Sequence, residues 1–208
     1  MAGPDRQFWQ DRFERGETPW DRGGSNPQLL DWLAQGHFAE PALGGGAVAV
    51  PGCGSGYEVA ELARAGVDVI GIDYAEAPSA ATRRRLDDLG LHKARVVTAD
   101  VLQWRPDAAL AAVYEQTCLC ALHPDHWRAY ADALHAWLRP GGRLFVLAMQ
   151  RDRPGAAQGF VEGPPYHVHV NALRALFDAA HWAWPSPPYR LVEHPKVGAE
   201  LALVLTRR

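Results

Sequence analysis

A glycine-rich turn between an apolar strand and an amphipathic helix constrains this chain more than any other feature. The apolar stretch 47–51 runs into Gly52-Cys-Gly-Ser-Gly56, and a helical pattern begins at Tyr57. A second apolar stretch ends in Asp73, 21 residues after Gly52. Gly52, Gly54 and Gly56 let the backbone turn sharply and approach a ligand, at which the helix N-terminus also points its free amides. Because a carboxylate in this place can accept both hydroxyls of a ribose, the pattern predicts a nucleotide-like pocket.

The glycine spacing distinguishes two classes of cofactor. A dinucleotide fingerprint reads GxGxxG, and here Tyr57 stands where its third glycine would be. A nicotinamide dehydrogenase is therefore disfavoured. The run instead resembles motif I of the class I methyltransferases that depend on S-adenosylmethionine (SAM), a cofactor with a ribose and a methionine but no phosphate.

Strand and helix signals alternate through the middle of the 208-residue chain, which is typical of a parallel sheet covered on both faces. The predicted strands lie near 47–51, 67–72, 95–98, 110–115, 143–149, 189–193 and 200–206, and the predicted helices near 57–65, 76–89 and 124–138. The last two strands are expected to pair as a hairpin. We predict one α/β domain over residues 1–208.

Residues 1–40 differ from this alternating pattern. They concentrate aromatic side chains before the sheet begins: Phe8, Trp9, Phe13, Trp20 and Trp32. Two compatible interpretations are open. The segment is either a cap that buries its aromatic rings on the sheet, or a lid whose rings exclude water from a reacting centre.

Composition disfavours several other classes of function. The formal charge is −3, and the densest basic run, Arg83–Arg85, is followed at once by Asp87 and Asp88, so no nucleic-acid surface is expected. No apolar run reaches the roughly 18 residues of a membrane span, which makes a cytoplasmic protein the expectation. The three cysteines form no CxxC pair, and His167 and His169 have no evident third ligand, so no metal site is expected.

Four parts of the chain carry unusual residue combinations. They are Phe8-Trp-Gln-Asp-Arg-Phe13 with Thr18-Pro-Trp-Asp21, Val50-Pro-Gly-Cys-Gly-Ser-Gly56, Tyr114-Glu-Gln-Thr-Cys-Leu-Cys-Ala-Leu-His-Pro124, and Gly163-Pro-Pro-Tyr166. Together they resemble the thiopurine S-methyltransferases and their plant and bacterial relatives, the thiol and halide methyltransferases. The resemblance extends from residue 8 to about residue 180 and is much more specific than the glycine run alone.

The resemblance implies a Rossmann-like class I methyltransferase fold, with a seven-stranded, mostly parallel sheet whose last strand is antiparallel and an aromatic-rich helical lid over residues 1–40. It implies SAM as cofactor, S-adenosylhomocysteine as product, a small-molecule acceptor and a monomer. Matched by position, the implied cofactor-binding residues are Trp9, Phe13, Trp20, Gly52, Gly54, Gly56, Asp73, Asp100, Val101 and Gln116. Among these, Asp73 would bind the ribose and Asp100 would lie near the adenine.

The acceptor side is implied less completely. Tyr166 matches a position that lines the acceptor pocket in the plant members, and it is the candidate catalytic residue. Trp20, Glu115 and Tyr166 are the candidate substrate contacts, with Glu115 and Tyr166 the candidate bases. Many class I enzymes carry an acidic residue two positions before the first glycine, where this chain has Val50. The partner of the methionine ammonium is therefore open.

The expected reaction is an SN2 methyl transfer to a small soft nucleophile, namely a thiol, a halide or a reduced chalcogen. Two alternatives remain at this stage: a small-molecule O-methyltransferase and a non-catalytic SAM-binding module. The fourth strand ends in Tyr114-Glu-Gln-Thr, without the (Asp/Asn)-Pro-Pro-(Tyr/Phe) motif, which argues against methylation of amino groups on DNA bases or glutamine side chains.

Overall fold

One mixed sheet organises the protein, whose computed structural model describes residues 3–196 and 198–208. Its strands are β1 (Val48–Pro51), β2 (Val69–Asp73), β3 (Arg95–Thr98), β4 (Leu110–Gln116), β5 (Leu138–Gln150), β6 (Trp182–Ala183), β7 (Arg190–His194) and β8 (Gly198–Arg207). The order across the sheet is β3-β2-β1-β4-β5-β8-β6, and β7 also pairs with β8. The pairs from β3 to β5 are parallel, whereas β8 is antiparallel to its neighbours β5, β6 and β7.

Helices flank this sheet and also form its N-terminal extension. They are α1 (Arg6–Glu14), α2 (Pro27–Ala34), α3 (Glu40–Leu43), α4 (Tyr57–Arg64), α5 (Glu76–Asp88), α6 (Cys118–Ala121), α7 (Trp127–Trp137) and α8 (Val170–Leu176). Short 3-10 turns cover Pro124–His126 and Pro154–Gln158. In the described part of the chain, no helix is both long and apolar enough to span a membrane.

The predicted fold class is confirmed, with a difference in the number of strands. The expected hairpin is present, since β7 pairs with β8 from Arg190↔Ala202 to His194↔Gly198. Two further residues, Trp182 and Ala183, pair with the other end of β8 as β6. Two short strands, β6 and β7, thus share the sheet edge beside β8. The strand predicted near 189–193 corresponds to β7, whereas β6 was not predicted.

The sheet is buried on both faces, as the unbroken apolar sequences of β1 and β2 require. One face packs against α7 and α8 through side chains such as Tyr130, Trp137 and Phe177. The other face packs against α4, α5 and the N-terminal extension, where Trp32 and Phe38 lie 5.1 and 4.3 Å from the Phe145 ring. The N-terminal extension is therefore part of the hydrophobic core.

The order β3-β2-β1-β4 creates the topological switch point at which open α/β sheets bind ligands. The chain leaves β1 and β4 in opposite directions across the sheet, so a crevice opens beyond their carboxyl ends. The glycine run follows β1, Asp73 ends β2 and Gln116 ends β4. The fold thus brings together residues that are far apart in sequence.

Candidate active site

A cavity of about 750 Å³ lies beyond the carboxyl ends of β1, β2 and β4, and α1 contributes to its wall. This volume is within the range of about 300–1,000 Å³ that is usual for small-molecule sites. Most of the residues predicted to bind a cofactor line it: Trp9, Phe13, Trp20, Gly52, Gly54, Asp73, Asp100, Val101 and Gln116. The sequence-based selection therefore converges on one site.

The glycine turn is held rigidly by hydrogen bonds from three sides. The Gly54 N–H donates to Asp73 Oδ2 at 2.9 Å, and Thr82 Oγ1 donates to the Gly54 carbonyl at 2.8 Å. Arg85 Nε donates to the Ser55 carbonyl at 2.6 Å, while its guanidinium lies over the Tyr57 ring. The backbone that faces the cavity is thus fixed before a ligand arrives.

Gly56 was predicted to bind the cofactor, but it does not belong to the described cavity lining. It precedes α4 with a φ of 75°, and a Cβ at this position would lie 2.7 Å from Thr82 Cγ2. Gly56 is needed for the close packing of α4 against α5, which is a structural role.

Replacing Gly56 with Ala should therefore destabilise the fold by about 1–2 kcal/mol from the backbone conformation alone, with the contact to Thr82 adding to this. Urea denaturation will measure the loss. Gly66→Ala is the matched control, because Gly66 also has a positive φ of 82° but no neighbour within 4 Å of an added Cβ. Equal losses in the two variants would contradict the packing role.

Asp73 is a buried carboxylate that already accepts two backbone hydrogen bonds. Gly54 N and Ala75 N lie 2.9 and 3.3 Å from its two oxygens. Burial raises the pKa of Asp73 to about 6, against the lowering effect of these donors. Since a carboxylate offers about four acceptor positions, Asp73 retains capacity for ligand hydroxyls.

The aromatic rings of the N-terminal extension divide into two groups. Trp20 contacts Trp9 and Phe13, with ring centroids 5.5 and 6.1 Å apart, and all three line the cavity. Trp32 instead lies in the core against Tyr114 and Phe145. The rings of Trp9, Phe13 and Trp20 therefore support the interpretation of this segment as a lid. The position of Trp32 supports its interpretation as a cap packed on the sheet.

Asp100, the predicted adenine position, and Gln116, another predicted cofactor-binding residue, both line the cavity. Asp100 Oδ1 accepts the Leu102 N–H at 2.9 Å, which leaves its other oxygen available. The Gln116 side chain accepts from Tyr114 Oη at 2.8 Å and donates to Glu200 Oε1 at 3.2 Å. Gln116 is thus tied to a buried polar network behind the wall.

Glu115 and Tyr166, the two candidate bases, are not among the described residues that line the cavity. Glu115 points to the opposite side of β4, where Leu119 N and Tyr130 Oη donate to it at 2.9 and 2.7 Å. Burial raises the pKa of Glu115 to about 7. Tyr166 packs over Gly163 and the ring of His123, and burial raises its pKa. The structure does not support direct substrate contact by either residue.

Several lining residues were not selected from the sequence. Near the glycine turn these are Asp21, Arg22, Ser55 and Glu58; near Gly163–Pro165 they include His123 and Arg153, and Arg151 lines the cavity as well. Glu58 had a sequence signal, because it is an acidic residue in the first turn of the helix that follows the glycine turn. The arginines follow β5 in an irregular loop and had no comparable signal.

Cys118 and Cys120 line the cavity as buried thiols. Burial, with the charge of Glu115 second, raises the pKa of both well above the ordinary value, so they stay protonated at neutral pH. Their role is to provide an apolar, polarisable wall. Among the described residues, no group of three or more His, Cys, Asp or Glu side chains is arranged to hold a metal ion.

Known proteins identify the family. The sequence profile of the thiopurine S-methyltransferases matches residues 4–185. The chain belongs to this family. It is 29% identical over 164 residues to a probable thiol methyltransferase 2 of Arabidopsis thaliana, covering 78% of this chain and 68% of that protein. It is 30% identical over 169 residues to thiocyanate methyltransferase 1 of Brassica oleracea, with the same coverage.

A solved structure supports the fold. The 1,6-didemethyltoxoflavin N1-methyltransferase of Burkholderia thailandensis, crystallised with S-adenosylhomocysteine, superposes with a TM-score of 0.72 at 23% identity, over 97% of this chain and 86% of that one. This similarity confirms the predicted class I fold. Membership of the thiopurine S-methyltransferase family confirms the predictions of a SAM-dependent methyltransferase and of SAM as its cofactor.

The residues at the cavity fit SAM. The ribose of SAM needs a hydrogen-bond acceptor, and Asp73 is a buried carboxylate with free acceptor positions at the cavity wall. Its sulfonium and adenine are suited to aromatic surfaces, which Trp9, Phe13 and Trp20 provide. Phe13 lies close enough to the glycine turn that a Cβ on Gly54 would be 3.4 Å from it.

Proposed function

We propose that this methyltransferase transfers the methyl group of SAM to a small soft nucleophile: a thiol, a halide or a reduced chalcogen. The observation that carries the proposal is the position of the two candidate bases. Glu115 and Tyr166 both lie outside the described cavity lining, and Glu115 is already engaged by Leu119 and Tyr130. Neither candidate base is therefore placed to deprotonate an acceptor, which suits an acceptor that ionises by itself.

Acceptor chemistry follows from this argument. A thiol has a pKa near 8.5, so a few per cent is thiolate at neutral pH, and a halide needs no deprotonation. A phenol or an alcohol needs a general base. Two curated relatives named for thiol and thiocyanate methylation support the same class of acceptor.

Positive charge near the Gly-Pro-Pro segment also supports an anionic acceptor. Arg153 lines this part of the cavity, and Arg151 is also a lining residue. Arg153 donates to the Pro165 carbonyl at 2.6 Å, and its Nε is buried without a hydrogen-bond partner among the described residues. A buried N–H that lacks a partner favours an acceptor group from a ligand.

The protein acts mainly by positioning and by excluding water. SAM, when bound, supplies a methyl group already activated on a sulfonium. The acceptor's lone pair forms the new bond to the methyl carbon, while the electron pair of the breaking carbon–sulfur bond remains on the sulfur and leaves S-adenosylhomocysteine. We propose that Asp73 holds the ribose, Asp100 the adenine, and the rings of Trp9 and Trp20 cover the reacting centre. Opposite charges cancel in this transition state, so an apolar wall favours it.

An acceptor panel tests the proposal. The purified protein is incubated with SAM and, separately, with iodide, bisulfide, an aromatic thiol or a phenol, and methylated products are detected in the headspace or by chromatography. We expect turnover of the thiols or iodide and little turnover of the phenol. Methylation of the phenol alone would assign an O-methyltransferase and overturn the proposal.

A further inference from the structure

The position at which many class I enzymes carry an acid for the methionine end is apolar in this protein. Val50 lies in β1 with only 4% of its surface exposed, and it contributes to the wall beside the glycine turn. The α-ammonium of the methionine portion carries a full positive charge. A cation taken out of water needs a partner, which must come from another residue.

Glu58 is a carboxylate in the same part of the cavity. It lies in the first turn of α4, directly after the glycine turn, and it lines the cavity together with Gly52 and Gly54. Its Oε1 accepts the Asn26 backbone N–H at 3.0 Å. In the part of the chain that the structure describes, its Oε2 accepts no hydrogen bond from another residue, and no cationic side chain forms an ion pair with it.

The other acids nearby are already engaged. Asp21 accepts from Gly23 N at 2.6 Å through Oδ1 and from Ser55 Oγ at 2.7 Å through Oδ2. Glu200 is fully buried behind the wall, where Arg22, Asn26 and Gln116 donate to it. Asp73 accepts from the backbone N–H groups of Gly54 and Ala75, and it is the residue proposed to hold the ribose. Among the acids near the glycine turn, Glu58 is therefore the one with an oxygen that accepts no hydrogen bond in the described part of the chain; Asp100 has such an oxygen too, but it follows β3, at the predicted adenine position.

Local charge also favours a cation beside Glu58. Burial, together with the smaller effect of the negative charges of Glu200 and Asp21, raises its pKa to about 7. Arg22 is the nearby cation, and it is paired with Glu200 at 2.9 Å. This corner thus holds more carboxylates than cations, and an incoming ammonium would offset the excess.

We propose that Glu58 is the residue that binds the α-ammonium of the methionine portion of SAM, in place of the acid that is missing at Val50. Glu58 thereby holds the methionine end of SAM, while Asp73 at the end of β2 and Asp100 after β3 hold the ribose and the adenine. Because the ammonium does not react, Glu58 is a positioning residue.

The test compares two ligands on two variants by isothermal titration calorimetry. The ligands are S-adenosylhomocysteine and its des-amino analogue, which lacks only the α-amino group. Glu58→Gln should weaken S-adenosylhomocysteine binding about tenfold, because a charge-assisted hydrogen bond becomes a neutral one, and should leave binding of the analogue within about twofold. The matched control is Glu61→Gln, one turn further along the same helix, where Glu61 pairs with Arg64 outside this cavity.

Two results would overturn the proposal: unchanged S-adenosylhomocysteine affinity in Glu58→Gln, or equal weakening of both ligands. If Glu58→Gln does not fold, Glu58→Asp provides the second test, since it keeps the charge on a shorter side chain. Glu58→Asp should still bind S-adenosylhomocysteine more tightly than the des-amino analogue, and loss of that preference would count against Glu58. These binding measurements do not depend on which acceptor the enzyme methylates.

Discussion

Replacing Asp73 with Ala is expected to weaken S-adenosylhomocysteine binding by about 1.5–3 kcal/mol, or roughly 10- to 150-fold. The carboxylate is buried at the wall, and its acceptor capacity is only partly used by Gly54 and Ala75. Charge-assisted hydrogen bonds to ribose hydroxyls are the interaction that this substitution would remove. Calorimetric titration of the two proteins measures the loss directly.

The ribose contact must be separated from loosening of the glycine turn, which Asp73 also holds. The 2′-deoxy analogue of S-adenosylhomocysteine makes this separation, in the manner of a double-mutant cycle. The wild-type protein should bind the analogue more weakly than the parent ligand, and Asp73→Ala should bind the two alike. A variant that still discriminates against the 2′-deoxy analogue would show that another residue binds that hydroxyl.

The same contact predicts a dependence on pH. The pKa of Asp73 is raised to about 6 in the free protein, and hydroxyl donors favour the ionised carboxylate. Protonation of Asp73 therefore competes with binding, so the contribution of Asp73 to the affinity should fall as the pH drops below about 6, separately from that of Glu58, whose pKa is raised to about 7. Asp73→Asn should lose this part of the pH profile, which titrations at pH 5 and pH 7.5 will reveal.

The cofactor half of the site was predictable because its residues follow strand ends. Parallel strands bring their carboxyl ends to the same edge of the sheet. Gly52, Asp73 and Gln116 therefore lie close together in a sheet with the order β2-β1-β4. The position of Glu115 outside the described cavity lining has a reason that the sequence also contains. Side chains alternate along β4, so if Gln116 faces the cavity, Glu115 points away from it.

Other parts of the site depend on packing that no local pattern encodes. Tyr166 follows two prolines, and only the tertiary structure shows that its ring packs over Gly163 and beside His123. Arg153 lies in an irregular loop whose course is set by contacts such as the one to Pro165. The positions of residues such as Tyr166 and Arg153, which depend on long-range packing, were therefore not predictable from the sequence.

The largest effect on stability is expected at the buried ion pair between Arg22 and Glu200. Their side chains are 10% and 0% exposed, and Arg22 Nη2 lies 2.9 Å from Glu200 Oε2. Arg22 also donates to the Glu193 carbonyl, and Asn26 donates to the same Glu200 oxygen at 2.7 Å. These contacts join the N-terminal extension to β7 and β8, across 178 residues of sequence.

Glu200→Ala should destabilise the protein by about 3–5 kcal/mol, because it leaves the Arg22 guanidinium buried without its counter-charge. Arg22→Ala should have a similar effect by leaving the carboxylate buried. The double variant should lose clearly less than the sum, since one substitution already removes the interaction that the other would break. Urea denaturation of the three variants gives the coupling energy.

An exposed ion pair between the same regions is the control. Arg190 of β7 contacts Asp31 of α2 at 2.6 Å, but their side chains are 57% and 43% exposed. Water screens this pair, so Arg190→Ala should cost less than about 1 kcal/mol. If Glu200→Ala costs no more than Arg190→Ala, or if the losses of Glu200→Ala and Arg22→Ala simply add, the buried pair does not anchor the extension. A larger loss for Glu200→Ala than for Arg190→Ala instead means that Glu200 in β8 anchors the N-terminal extension, which carries the aromatic rings over the cavity.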